Sequence, residues 1–114
     1  VAFGKKMIER HADTIASADY VFLEYGGNDC DFHWMDIARE PRAEHRPKTM
    51  IGSFKEQFKT LVEKVRELGS RPVIVSLPPI DSEAYFSFLS RFMDKEQKEN
   101  VMTWLGGDID IIRK

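Results

Sequence analysis

The sequence predicts an α/β fold with parallel strands, and three observations carry the prediction. Two short apolar runs, "YVFLEY" at residues 20–25 and "RPVIVSL" at residues 71–77, are nearly continuous in their apolarity, which suits strands covered on both faces. Between them, Phe54, Phe58, Leu61, Val65 and Leu68 recur at spacings of four, three, four and three, the stripe of an amphipathic helix. A strand, a helix and a second strand in that order form a βαβ unit, so the two strands should run parallel with a right-handed crossover.

The elements follow in order. Met7, Ile8, Ala12 and Ile15, set among Lys5, Lys6, Glu9, Arg10 and Asp13, predict an amphipathic helix over residues 2–16, with His11 on its polar, exposed side. Gly26 and Gly27 stop the first strand. From Asn28 to Lys48 there is little periodicity, and the segment reads as a long polar loop in which "WMDIARE" can form a short helix. The crossover helix is expected over about residues 50–68. Thr49 or Ser53 is its expected N-cap, Ser53 with Glu56 forming a capping box, and Gly69 is its stop. The prolines of "PPI" end the second strand. Beyond Asp81, Tyr85, Phe86, Phe88, Leu89 and Phe92, then Val101, Trp104 and Leu105, predict two short helices separated by the polar "DKEQKEN".

Composition narrows the function classes. The formal charge is −2 and the pI about 5.9, with acidic and basic residues interleaved, so there is no electrostatic footprint for nucleic acid. One cysteine, Cys30, excludes an internal disulfide framework and leaves the compartment open. No apolar run approaches the ~18 residues of a membrane span. The chain opens on Val1 without a methionine and closes on "IDIIRK" with no linker composition at either end. We therefore expect a segment of a longer protein.

In such sheets ligands sit beyond the carboxyl ends of the strands, where "GGNDCDFHW" and "PPID" fall. Glycines let a backbone turn sharply and approach a ligand, and an asparagine at a strand tip offers an uncharged N–H donor. A neutral donor aimed at developing negative charge is what an oxyanion hole requires. The alternative is a strand-to-loop turn in which Asn28 bonds its own backbone.

"DYVFLEYGGND", followed by an amphipathic helix and "RPVIVSLPPID", resembles the central part of the SGNH hydrolases, the GDSL-like lipase and acylhydrolase family. In that family a G-x-N-D block closes a parallel strand and its asparagine side chain is an oxyanion-hole donor. Gly26, Gly27, Asn28 and Asp29 match the block, so the resemblance assigns the donor role to Asn28, with Gly26 and Gly27 shaping the turn. It also implies a flavodoxin-like three-layer sandwich, of which 114 residues would be an incomplete part. The activity implied is ester or acyl hydrolysis by a serine nucleophile without cofactor or metal, on a small-molecule ester or an acylated sugar. Asp29, Asp31, His33 and Trp34 become substrate-facing candidates, with Phe32 beside them.

The family's other blocks are missing. No serine follows Gly-Asp, and the residues three before His11, His33 and His45 are Ile8, Cys30 and Arg42, so neither the G-D-S nucleophile block nor the D-x-x-H base block is present. Gly4 lies too close to the first helix to match the family's second-block glycine. The chain alone should be inactive, and apolar surface left open by the missing elements should favour self-association. Two competing readings concern the same loop. Asp29, Asp31, His33 and Asp36 resemble a metal run, but without an EF-hand glycine or terminal glutamate. Cys30 beside His33 or His45 suggests a thiol nucleophile, although a small buried thiol is the expectation. A non-catalytic α/β module binding a small ligand or partner at the same strand ends is the alternative function.

Overall fold

The computed structural model describes residues 1–113 and mixes helices with two parallel strands. In chain order the elements are α1 (Ala2–Arg10), α2 (Ala12–Ala16), β1 (Tyr20–Leu23), α3 (Gly27–Cys30), α4 (Trp34–Arg39), α5 (Ile51–Glu67), β2 (Arg71–Ile74), α6 (Ser82–Leu89) and α7 (Lys95–Trp104), then a 3-10 turn at Ile109–Arg113. They form two compact units, the first from residues 1–31 and 47–77, the second from residues 32–46 and from 78 onward. No helix among the described residues is long and apolar enough to cross a membrane.

The first unit contains the βαβ core. Strands β1 and β2 pair in parallel as expected, in a register running from Tyr20 opposite Arg71 to Leu23 opposite Ile74, and α5 connects them. Ile8, Leu23, Leu61 and Val65 are buried together, with Val21, Tyr25, Phe58 and Leu68 packed around them. Each such aliphatic side chain taken from water contributes roughly 1.5–3 kcal/mol. Gly4 lets α1 approach this core closely: a Cβ there would fall 2.7 Å from Leu61 Cδ1 and 2.8 Å from the Tyr25 hydroxyl. The buried Ser70 hydroxyl lies against the carbonyl oxygens of Ile15 and Ala18, which ties the end of α2 to the start of β2.

Several expectations are corrected here. The first helix is two helices, parted at His11, which is exposed. The strands are not covered on both faces, because Tyr20 and Phe22 of β1 are 53% and 70% exposed. Among the described residues the sheet has two strands, and Tyr20 and Phe22, two positions apart, share its open face. The cap of α5 is Met50, and it makes no side-chain cap bond. Thr49 spends its hydroxyl on Asp29, and Ser53 accepts from Gln57, so neither caps the helix. Gly69 does end it, at φ +92°.

The second unit has its own core of Ile37, Ala38, Met93, Val101 and Leu105. Helix α4 covers most of "WMDIARE", and Asn100 Nδ2 donates to the Ala38 carbonyl at 2.9 Å, fixing α7 against α4. The "DKEQKEN" segment does not separate two helices: it is the start of α7. Asp94 accepts from the Gln97 backbone N–H at 2.8 Å, and Gln97 returns the bond to the Asp94 N–H at 3.0 Å. This reciprocal capping box satisfies two donors that the helix start would leave bare.

Candidate functional site

Beyond Leu23 the chain passes Tyr25, whose ring meets Phe58 edge-on at 6.2 Å, and then turns at Gly26. With φ at +133°, Gly26 occupies a region that residues with a Cβ rarely adopt. A Cβ there would also press on Leu77 Cδ1 at 3.3 Å. The loop leaving β1 thus lies against the segment leaving β2, at the carboxyl edge of the sheet. One helical turn follows, closed by the Cys30 N–H on the Gly26 carbonyl at 2.8 Å. It divides its side chains between interior and solvent: Asp29 is buried, while Asn28 and Cys30 are exposed.

Asp29 anchors the turn. Its carboxylate accepts from the Thr49 hydroxyl at 2.9 Å. The backbone joins in, because the Thr49 N–H donates to the Asp29 carbonyl at 2.9 Å and the Lys48 N–H to the Asp31 carbonyl at 2.8 Å. The hydroxyl offsets part of the cost of burying the carboxylate, and the two backbone bonds hold the segment of Lys48 and Thr49 against the turn. Outside the turn, Lys48 Nζ reaches Asp31 Oδ2 at 2.8 Å and Asn28 Oδ1 at 3.2 Å. The structure therefore brings Gly26, Gly27, Asn28, Asp29 and Asp31 together in the first unit and adds Lys48 and Thr49, which the sequence reading did not place at the site.

His33 and Trp34 belong to the second unit. The His33 carbonyl accepts from Asp36 N–H at 2.9 Å at the start of α4, and its side chain is exposed. Trp34 joins an aromatic cluster, with its ring 6.0 Å from Phe32, 6.1 Å from Trp104 and 6.5 Å from Tyr85. His45 stacks edge-on to Trp104, and its Nε2 lies 2.8 Å from the Glu40 carbonyl. A carbonyl only accepts, so Nε2 carries the proton in that contact.

Cys30 departs from expectation. It is exposed rather than buried, because Asp29 takes the inward position of the turn, and its thiol donates back to the Gly27 carbonyl at 3.4 Å. Among the described residues no three His, Cys, Asp or Glu side chains gather as metal ligands; Asp29 and Asp31 are instead bonded to Thr49 and Lys48. An open cavity of about 550 Å³ lies at the opposite, amino edge of the strands, lined by Ser17, Asp19, Tyr20 and Arg71 among others. It is remote from the strand ends where ligands of such sheets are held.

Comparison with known proteins gives no match to a family model, a curated protein or a solved structure.

Proposed function

We propose that this chain is the central part of a serine ester hydrolase of SGNH type, built on a flavodoxin-like three-layer sandwich. The observation that supports it best is the situation of Asn28: an exposed amide on a glycine turn, directly beyond the carboxyl end of one of two parallel strands. Gly26, at φ +133°, gives that turn its sharpness, Gly27 opens the helical turn that follows, and the buried Asp29 fixes it. The nucleophilic serine and the histidine base come from G-D-S and D-x-x-H blocks outside these 114 residues.

The mechanism follows from those roles. The serine attacks the ester carbonyl while the histidine takes its proton, later passing it to the leaving alcohol. Charge then develops on the carbonyl oxygen, and Asn28 Nδ2–H donates to it. One such donor is worth roughly 2.7–4 kcal/mol in the transition state. Asp31, next to the Asn28 turn in the same unit, faces a small ester or an acylated sugar.

The test is kinetic. In the intact enzyme, Asn28→Ala should lower kcat by about 10²-fold or more with a modest change in KM. Asn28→Asp should be at least as harmful, since it sets negative charge where the oxyanion forms. Near-normal kcat in both variants would return Asn28 to a structural turn. The 114-residue chain alone should not hydrolyse a short p-nitrophenyl ester above background. A reading frame that lacks both flanking blocks would favour a non-catalytic module binding a ligand or partner at the same strand ends.

A further inference from the structure

We infer that Lys48 is the positioning residue of Asn28, setting which end of its amide faces the substrate; the inference rests on the donor role proposed above. An ammonium has three donors and no acceptor. The amide atom 3.2 Å from Lys48 Nζ is therefore the oxygen, Oδ1, because the reversed amide would set N–H against N–H. With the oxygen held, Nδ2 is turned away from Lys48, and among the described residues nothing accepts from it. That is the state an oxyanion donor needs: oriented in advance and unspent.

Lys48 is itself held at both ends, which distinguishes it from an incidental surface contact. Its backbone N–H is bonded to the Asp31 carbonyl, and the next residue's N–H to the Asp29 carbonyl, at 2.8 and 2.9 Å. Its ammonium meets Asp31 Oδ2 at 2.8 Å, and the two side chains are only 30% and 19% exposed. Asp31 also largely offsets the lysine's charge at any distance beyond the pair. The main effect of Lys48 on an oxyanion is thus orientation of the amide rather than its own field. An exposed asparagine without this contact turns its amide both ways and bonds water with both ends.

Two measurements test the assignment. The first uses nuclear magnetic resonance of the 114-residue chain, reading the order parameter of the Asn28 side-chain amide. It should be high in the wild type, fall to that of a solvent-exposed asparagine in Lys48→Met, and remain high in Lys48→Arg, since a guanidinium is likewise all donor. Unchanged order in Lys48→Met, with the backbone spectrum intact, would overturn the inference. The second is the kinetics of the intact enzyme. Lys48→Met should lower kcat about tenfold with KM nearly constant, as expected when the amide that donates in the transition state is no longer held in place, and Lys48→Arg should recover most of it. A full kcat in Lys48→Met beside a collapsed kcat in Asn28→Ala would remove the positioning role and leave the esterase reading standing. If Asn28→Ala is also fully active, the esterase role of Asn28 fails, and the amide order still decides whether Lys48 holds it.

Discussion

At the scale of residues, three glycines with different surroundings give a graded test of the site's geometry. Gly26→Ala forces a Cβ into φ +133° and onto Leu77, so it should cost about 1–3 kcal/mol and displace the turn that carries Asn28. Gly4→Ala brings a Cβ to 2.7 Å from Leu61 Cδ1, an overpacking of about 1–3 kcal/mol, without touching that turn. Gly52→Ala meets nothing within 4 Å inside α5 and should stabilise by up to about 1 kcal/mol. Urea denaturation should rank the stabilities Gly52→Ala, wild type, then the other two, and any other order would contradict these roles. The glycine turn and Asn28 were legible because "GGND" interrupts an apolar run. Thr49 and Lys48 were not, since their bonds to residues 28–31 join segments about twenty positions apart and leave no periodic trace. Asp29 looked exposed for a related reason: a carboxylate in a polar loop shows no sign of the donors that bury it.

At the scale of elements, the sequence was most readable where a stripe repeats. The apolar stripe from Phe54 to Leu68, with Gly69 as its stop, led to an expected range of about residues 50–68 against the observed Ile51–Glu67, whereas its cap was misplaced because the hydroxyl of Thr49 is bonded to Asp29. Helix α7 shows the reverse. Its first half has no apolar residue, so periodicity is silent, but Asp94 followed three residues later by Gln97 is a start signal independent of periodicity. Removing it should be measurable: Asp94→Ala should cost about 1 kcal/mol, and Gln97→Ala less. If the two bonds act as one box, the double variant should lose less than the sum of the singles. Strict additivity in thermal denaturation would mean that the two bonds are independent. The strands are shorter than the apolar runs that contain them because pairing ends with Leu23 and Ile74, although the Val75 N–H still reaches the Leu23 carbonyl at 3.0 Å.

At the scale of the whole molecule, the feature that decides solution behaviour is the uncovered side of the two-stranded sheet. Parallel strands occur almost always with both faces covered, and the nearly continuous apolarity of "YVFLEY" suits that situation. Here Val21 and Leu23 turn toward the core with Ile8 and Leu61, while Tyr20 and Phe22, on the alternate positions of the same strand, remain open. The Arg71 guanidinium lies over the Tyr20 ring at 5.8 Å and shelters it in part, but Phe22 is left 70% exposed. Covering one phenylalanine is worth roughly 1.5–3 kcal/mol, and Tyr20 on the same face adds to that gain, so a second copy gains by covering this face. The chain should therefore associate in a concentration-dependent way during sedimentation. Phe22→Thr keeps the strand propensity of the site while removing most of its apolar area, so it should shift the distribution toward monomer with the first unit still folded. A wild-type chain that sediments as a monomer at every concentration would show that this face has no drive to be covered, and the expectation of missing layers would lose its main physical support.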